Sequence, residues 1–128
     1  MVVRPLKGQG AFNDVMRSGR RTTSGPLSLT AAFSADRSSV ETLNCGVTIG
    51  KRTAKRAVVR NRVKRLLREA IRQSIPIRSQ ALSRAGIHTV ILVWRSAPQA
   101  PMLLRLADVR PHVAAALDQA ISVCSRNA

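Results

Sequence analysis

Apolar positions along this 128-residue chain follow two periods, and the period switches several times. Over about residues 8–18, Phe12, Val15 and Met16, with Leu6 just ahead, keep the three- and four-residue spacing of a short amphipathic helix. Gly19 follows where a helix C-cap belongs, and Arg17, Arg20 and Arg21 crowd the end where the helix dipole favours cations. Ser24-Gly25-Pro26 breaks the pattern. Residues 27–33 then alternate, with Leu27, Leu29 and Ala31 on one side and Ser28 and Thr30 on the other, as in a half-buried strand. After a polar stretch over 34–42, Leu43 to Ile49 forms a second strand with Cys45, Val47 and Ile49 on one face. These two strands are expected to pair as a hairpin.

The strongest helical period lies over about 57–74, where Val59, Val63, Leu66, Leu67 and Ala70 make one core-facing stripe. Pro76 stops or bends that helix. Residues 78–85 admit a further helical turn, ended by Gly86. Val90 to Trp94 is an unbroken apolar run, as expected of a central strand buried on both faces. Residues 95–107, with Pro98 and Pro101, read as a loop. Asp108 is expected to cap a last helix running to about residue 124, with Pro111 in its first turn and Val113, Ala116, Leu117, Ala120 and Ile121 buried. The predicted order is α-β-β-α-β-α in a single α+β domain spanning 1–128, with its core over about 5–124. If the second and last strands run parallel, the long helix makes a β-α-β crossover between them.

Composition adds the chemistry. An apolar fraction of 45% supports a real core, while a formal charge of +16 and a pI near 12.0 far exceed what solubility needs. Ten of the 22 basic residues fall in residues 51–72, KRTAKRAVVRNRVKRLLREAIR, against one acid, Glu69. Arg60, Lys64, Arg68 and Arg72 repeat at i, i+4, a spacing at which like charges destabilise an isolated helix. The row makes physical sense facing a polyanion, and nucleic acid is the obvious one. No run approaches the apolar length of a membrane span, and the basic helix lacks aromatic anchors for a membrane surface.

Candidate catalytic groups are thin. The six acids are scattered, His88 and His112 have no ligand or nucleophile pattern around them, and Gly8 and Gly10 do not fit a phosphate loop. Cys45 and Cys124 have no C-x-x-C spacing and read as two small hydrophobes in a reducing cytosol. Residues 1–25 are Arg-rich with one acid, Asp14, which imitates a transit peptide, but their core-like helical spacing argues for a retained segment. Aromatic content is 2%, so single-strand contacts should rest on charge and shape more than on base stacking.

Gly46-Val47-Thr48-Ile49-Gly50-Lys51-Arg52, then Lys55-Arg56-Ala57, then Arg60-Asn61-Arg62-Val63-Lys64-Arg65-Leu66-Leu67-Arg68-Glu69 closely resembles the protein component of bacterial ribonuclease P. Leu6, Phe12, Val15 and Gly19-Arg20-Arg21 resemble that family's first helix and its exit, Leu27 and Leu29 its first strand, and residues 89–95 its last strand. Roughly residues 5–121 are covered. The resemblance implies an α-β sandwich related to a ribosomal-protein domain, with a left-handed β-α-β crossover against the usual preference. It implies a cytoplasmic accessory subunit, monomeric outside the holoenzyme, of a ribonucleoprotein that removes the 5′ leader from precursor tRNA. The RNA subunit holds the active site and the Mg2+ ions; no side chain of this chain is expected to be catalytic or to bind metal. By the same resemblance, contact with ribonuclease P RNA falls to Lys51, Arg52, Lys55, Arg56, Arg60, Asn61, Arg62, Lys64, Arg65 and Arg68. Contact with the leader falls to Phe12, Met16, Ser28 and Thr30, with Arg17 and Arg95 at the rim. Met16 stands where an aromatic is common in the family, Thr30 where a larger side chain can sit, and Asn44 replaces a frequent basic residue or proline. A purely structural RNA-binding protein, such as a ribosomal protein, is the rival from another class, and the first-helix cleft separates the two.

Overall fold

A computed structural model describes residues 1–34, 40–50, 53–95 and 104–126. The elements run β1 (Val2–Pro5), α1 (Gln9–Ser18), β2 (Arg20–Ser24), β3 (Leu27–Phe33), β4 (Thr42–Ile49), α2 (Ala57–Ser74), a 3-10 turn (Pro76–Arg78), α3 (Ser79–Ala85), β5 (Ile87–Trp94) and α4 (Leu106–Arg126). They form one five-stranded sheet in the order β1-β4-β5-β3-β2. The α+β class and the three main helices agree with the pattern of the sequence, and α2 has the bounds its apolar period predicts.

The expected hairpin between residues 27–33 and 43–49 does not form. β5 lies between them, antiparallel to β3 and parallel to β4. The unbroken apolar run of β5 explains the order, because only a strand flanked on both edges and covered on both faces profits from it. The real hairpin joins β2 to β3 through Gly25-Pro26, with Gly25 at φ +55 in the first turn position, where short hairpins require positive φ. Strands β1 and β2 were not predicted. Both are edge strands, and β2 buries only Thr22, so neither carries an apolar alternation.

Alternation along the strands divides the sheet into two faces. Leu27, Leu29, Ala31, Leu43, Cys45, Ile49, Val90, Leu92 and Trp94 belong to the main core under α2, α3 and α4. The α2 stripe of Val59, Val63, Leu67, Ala70 and Ile71 packs there, each large side chain contributing about 1.5–3 kcal/mol by leaving water. The opposite face carries Ser28, Thr30, Asn44, Gly46, Thr48, Ile91 and Val93, as the cross-strand register requires. Helix α1 packs on β3 and β5 there.

Local details also differ from expectation. Gly19 ends α1 at φ −76, so it is not a left-handed cap. It is needed for space: a Cβ there would lie 2.7 Å from the Thr30 methyl, 2.7 Å from the Val15 carbonyl and 2.9 Å from the Ala31 carbonyl. Helix α4 starts two residues before Asp108, whose carboxylate reaches back to accept from the Arg105 N–H at 2.9 Å, half of a capping box. Pro111 therefore sits inside the helix beyond the first turn. The ambiguous segment 78–85 is helical, and Gly86 caps it at φ +74.

Candidate nucleic-acid interface

Helix α2 divides its circumference between core and cations. At about 100° per residue, Arg60, Lys64 and Arg68 follow one flank of the buried stripe, Asn61, Arg65 and Arg72 the outermost line, and Arg62 the flank toward α4. Lys55, Arg56, Asn61, Arg65 and Arg68 are exposed, and Arg60, Arg62 and Lys64 are half-buried. Lys51 and Arg52 lie outside the described residues.

Two of these arginines hold the protein together as well as facing outward. Arg60 Nη1 donates to the carbonyls of Ala54 and Lys55, at 2.9 and 2.7 Å, and so fixes the segment that enters α2. Arg62 Nη2 donates to the Leu104 carbonyl at 2.8 Å and ties α2 to the segment preceding α4. Arg72 is neutralised by Glu69, with contacts of 2.6 and 2.7 Å. That guanidinium, followed by a hydrogen bond from Gln73, holds the Glu69 carboxyl below its ordinary pKa. The only other ion pair among the described residues joins Arg78 to Asp118. No described carboxylate pairs with Lys55, Arg56, Lys64, Arg65 or Arg68.

The amino end of α2 carries no acidic residue in its first turn and no side-chain cap on Arg56. The positive end of its dipole and the basic residues around it present one sign of charge, an arrangement that suits phosphate. A groove of about 440 Å3 adjoins the band on the β1 side, lined by Val3, Pro5, Cys45, Ile71 and Arg68 among others. Burial pushes the Cys45 thiol up to about 12, with Arg68 acting weakly the other way, so Cys45 is a neutral hydrophobe at physiological pH.

On the other face of the sheet, α1 holds Val15 inward, leaves Phe12 and Met16 half-buried, and exposes Arg17. Arg95 is exposed at the end of β5, where its N–H donates to the Pro26 carbonyl at 2.8 Å. Ser28 and Thr30 share this face but are only 1% and 2% exposed. The sequence places them here correctly and misses their burial. It also misses Arg21, an exposed β2 side chain whose Nε donates to the Ser28 hydroxyl at 2.9 Å.

Both histidines are half-buried. Burial lowers the pKa of His88, whose Nδ1 lies 2.8 Å from the Thr89 hydroxyl. His112 is not on a free helix surface: its Nδ1 is 3.2 Å from the Ser24 hydroxyl, and its ring stands edge-on to Trp94 at 6.2 Å. Among the described residues no three His, Cys, Asp or Glu side chains converge to hold a metal ion, and no helix is long and apolar enough to cross a membrane.

Known proteins match this arrangement. The ribonuclease P protein component of Synechococcus sp. (strain RCC307) is 42% identical over 72 residues, covering 51% of this chain and 57% of that protein. The chain thus matches little more than half the length of that relative. Two solved structures share the fold. The RNase P protein of Thermotoga maritima has a TM-score of 0.64 at 14% identity, over 93% of this chain and 96% of that one. The Staphylococcus aureus RNase P protein has a TM-score of 0.55 at 13% identity, over 93% of each. The profile of the Ribonuclease P family matches residues 3–116, the span that holds α1, the sheet apart from Val2, the Arg-Asn-Arg helix and the first half of α4. With that span matched, the chain belongs to the ribonuclease P protein family.

Proposed function

We propose that this chain is the protein subunit of a ribonuclease P ribonucleoprotein, binding the catalytic RNA through the cationic band of α2 and the 5′ leader of precursor tRNA on the α1 face of the sheet. One observation carries the reading: Lys64, Arg65 and Arg68 on α2, with Lys55 and Arg56 just before it, have no described carboxylate paired with them, while the opposite stripe of the helix is anchored in the core. Each phosphate they neutralise releases condensed counterions, so affinity falls steeply with salt. Side chains cannot enter the deep major groove of A-form RNA, so the band reads backbone and shape.

The chemistry belongs to the RNA. Magnesium held mainly by the RNA subunit would supply the attacking hydroxide, and in this reading no side chain of this chain is assigned a catalytic role. Its own contribution is to hold the leader beside the RNA and to screen repulsion between the two polyanions, which raises turnover through proximity and charge. Phe12 and Met16 give the leader a half-buried apolar wall, and Arg17 and Arg95 give it a cationic rim. The protein works in the cytoplasm and is monomeric until it joins the RNA.

Reconstitution tests the reading. The chain is mixed with a ribonuclease P RNA at low magnesium, and cleavage of precursor tRNA is followed. Stimulated cleavage is expected. Absent stimulation, with tight binding to ribosomal RNA instead, would favour a purely structural RNA-binding protein. Within the holoenzyme, Phe12→Ala should weaken precursor tRNA binding and spare mature tRNA.

A further inference from the structure

The α1 face carries a cation that the Arg-Asn-Arg helix does not explain. Arg21 lies on β2, the sheet edge reached directly from the end of α1, and pairs across the hairpin with Thr30. Its side chain crosses diagonally to Ser28, itself paired with Val93 on the next strand. Ser28 is 1% exposed, so its hydroxyl is withdrawn from any ligand, and it accepts from the Arg21 Nε. Val93 and Thr48 beyond it are half-buried and form the open part of the sheet face.

Arginine chemistry gives this contact a direction. Donation through Nε leaves the two terminal nitrogens on the far edge of the guanidinium, the edge that meets a phosphate with two parallel hydrogen bonds. No described carboxylate pairs with Arg21. A serine that anchors an exposed arginine in this way removes much of the side-chain freedom that binding would otherwise have to freeze. Lysine cannot substitute, because it has no second edge.

We propose that Arg21 grips a backbone phosphate of the leader strand and that Ser28 is its positioning residue, acting through Arg21 rather than by touching RNA. This rests on the assignment of the α1 face to the leader, and it reassigns Ser28 within that site. The ligand class is a single-stranded RNA phosphodiester.

The reconstituted holoenzyme tests it, with binding of precursor and mature tRNA measured for Arg21→Ala, Arg21→Lys, Ser28→Ala and the Arg21→Ala/Ser28→Ala pair. Arg21→Ala should weaken precursor binding by about tenfold, the scale of one charged hydrogen-bonded contact, and leave mature tRNA unchanged. Ser28→Ala should lose a smaller factor, and that loss should vanish in the Arg21→Ala background. Arg21→Lys should recover only part of the affinity. A precursor with a neutral methylphosphonate at one leader position should abolish the Arg21→Ala penalty, a response that a merely structural arginine would not give. Unchanged precursor binding by Arg21→Ala, while Phe12→Ala still discriminates the two tRNAs, overturns the proposal and leaves the leader site standing. Failure of both variants to discriminate overturns the leader site itself. A Ser28→Ala loss that persists at full size without Arg21 refutes the positioning role.

Discussion

Replacing Arg62 by alanine should unfold the protein more easily as well as weaken its hold on RNA, whereas replacing Arg65 should do only the second. Arg62 is half-buried and donates at 2.8 Å to the Leu104 carbonyl, a tie between α2 and the segment that leads into α4. A hydrogen bond from a charged group contributes about 1.5–3 kcal/mol, and partial exposure places this one near 1.5. Unfolding entropy of about 2.1 cal/mol/K per residue gives about 0.27 kcal/mol/K for a chain of this length, so Arg62→Ala should lower Tm by about 5–6 °C. Arg65 is exposed and has no described partner, so Arg65→Ala should stay within about 2 °C. Thermal melts followed by circular dichroism measure the first quantity, and RNA titrations across a salt series measure the second. Arg65→Ala should reduce the salt slope by about one, Arg62→Ala by less. Arg62→Lys should keep the charge without the planar fork and recover the slope more than the Tm. An Arg62→Ala protein that melts with the parent and loses a full unit of salt slope would refute the clamp. The same reasoning makes Arg65→Ala with Arg68→Ala the clean test of RNA contact, because Arg60 also holds two carbonyls of the protein.

Gly19→Ala should cost about 1–3 kcal/mol through overpacking against Thr30 and the two carbonyls; a denaturant midpoint equal to the parent's would show that the end of α1 and β3 can part without penalty. Cys45 should react slowly with iodoacetamide at pH 8 in the native state and quickly in urea. Its folded pKa is raised from 9.0 to about 12, so its contribution to stability is present below pH 9 and is lost as pH climbs from there toward 12; fast native alkylation would contradict its burial. Glu69→Gln should release Arg72 and steepen the salt dependence of RNA binding. Acid should act in the same direction, since the lowered folded pKa means that the pairing is intact above the unfolded value and is lost as pH falls through the folded one. An unaltered slope would show that Arg72 faces away from the RNA.

Much of this was legible in the residues, and the limits have physical causes. Helix α2 was readable to its ends because eighteen residues repeat one apolar stripe. Strand β5 announced its central position through an unbroken apolar run, but strand order depends on which edges meet, and a one-dimensional pattern carries no record of that. β1 and β2 escaped because edge strands bury little. Charge spacing located the cationic helix, yet it could not separate Arg62, which binds a carbonyl of its own chain, from Arg65, which does not. Alternation put Ser28 and Thr30 on the correct face, while their burial depends on what lies over them. Arg21 escaped with β2, since only a strand over residues 20–24 sets it opposite Thr30.

The placement of β5 also governs how the molecule comes into being. β3 and β4 have no contact to make with each other until residues 87–94 slot between them. On a ribosome, everything from the amino terminus through the Arg-Asn-Arg helix emerges before the strand that completes its floor. The nascent chain therefore displays its densest positive charge before β5 is there to join the β2–β3 hairpin to the β1–β4 pair.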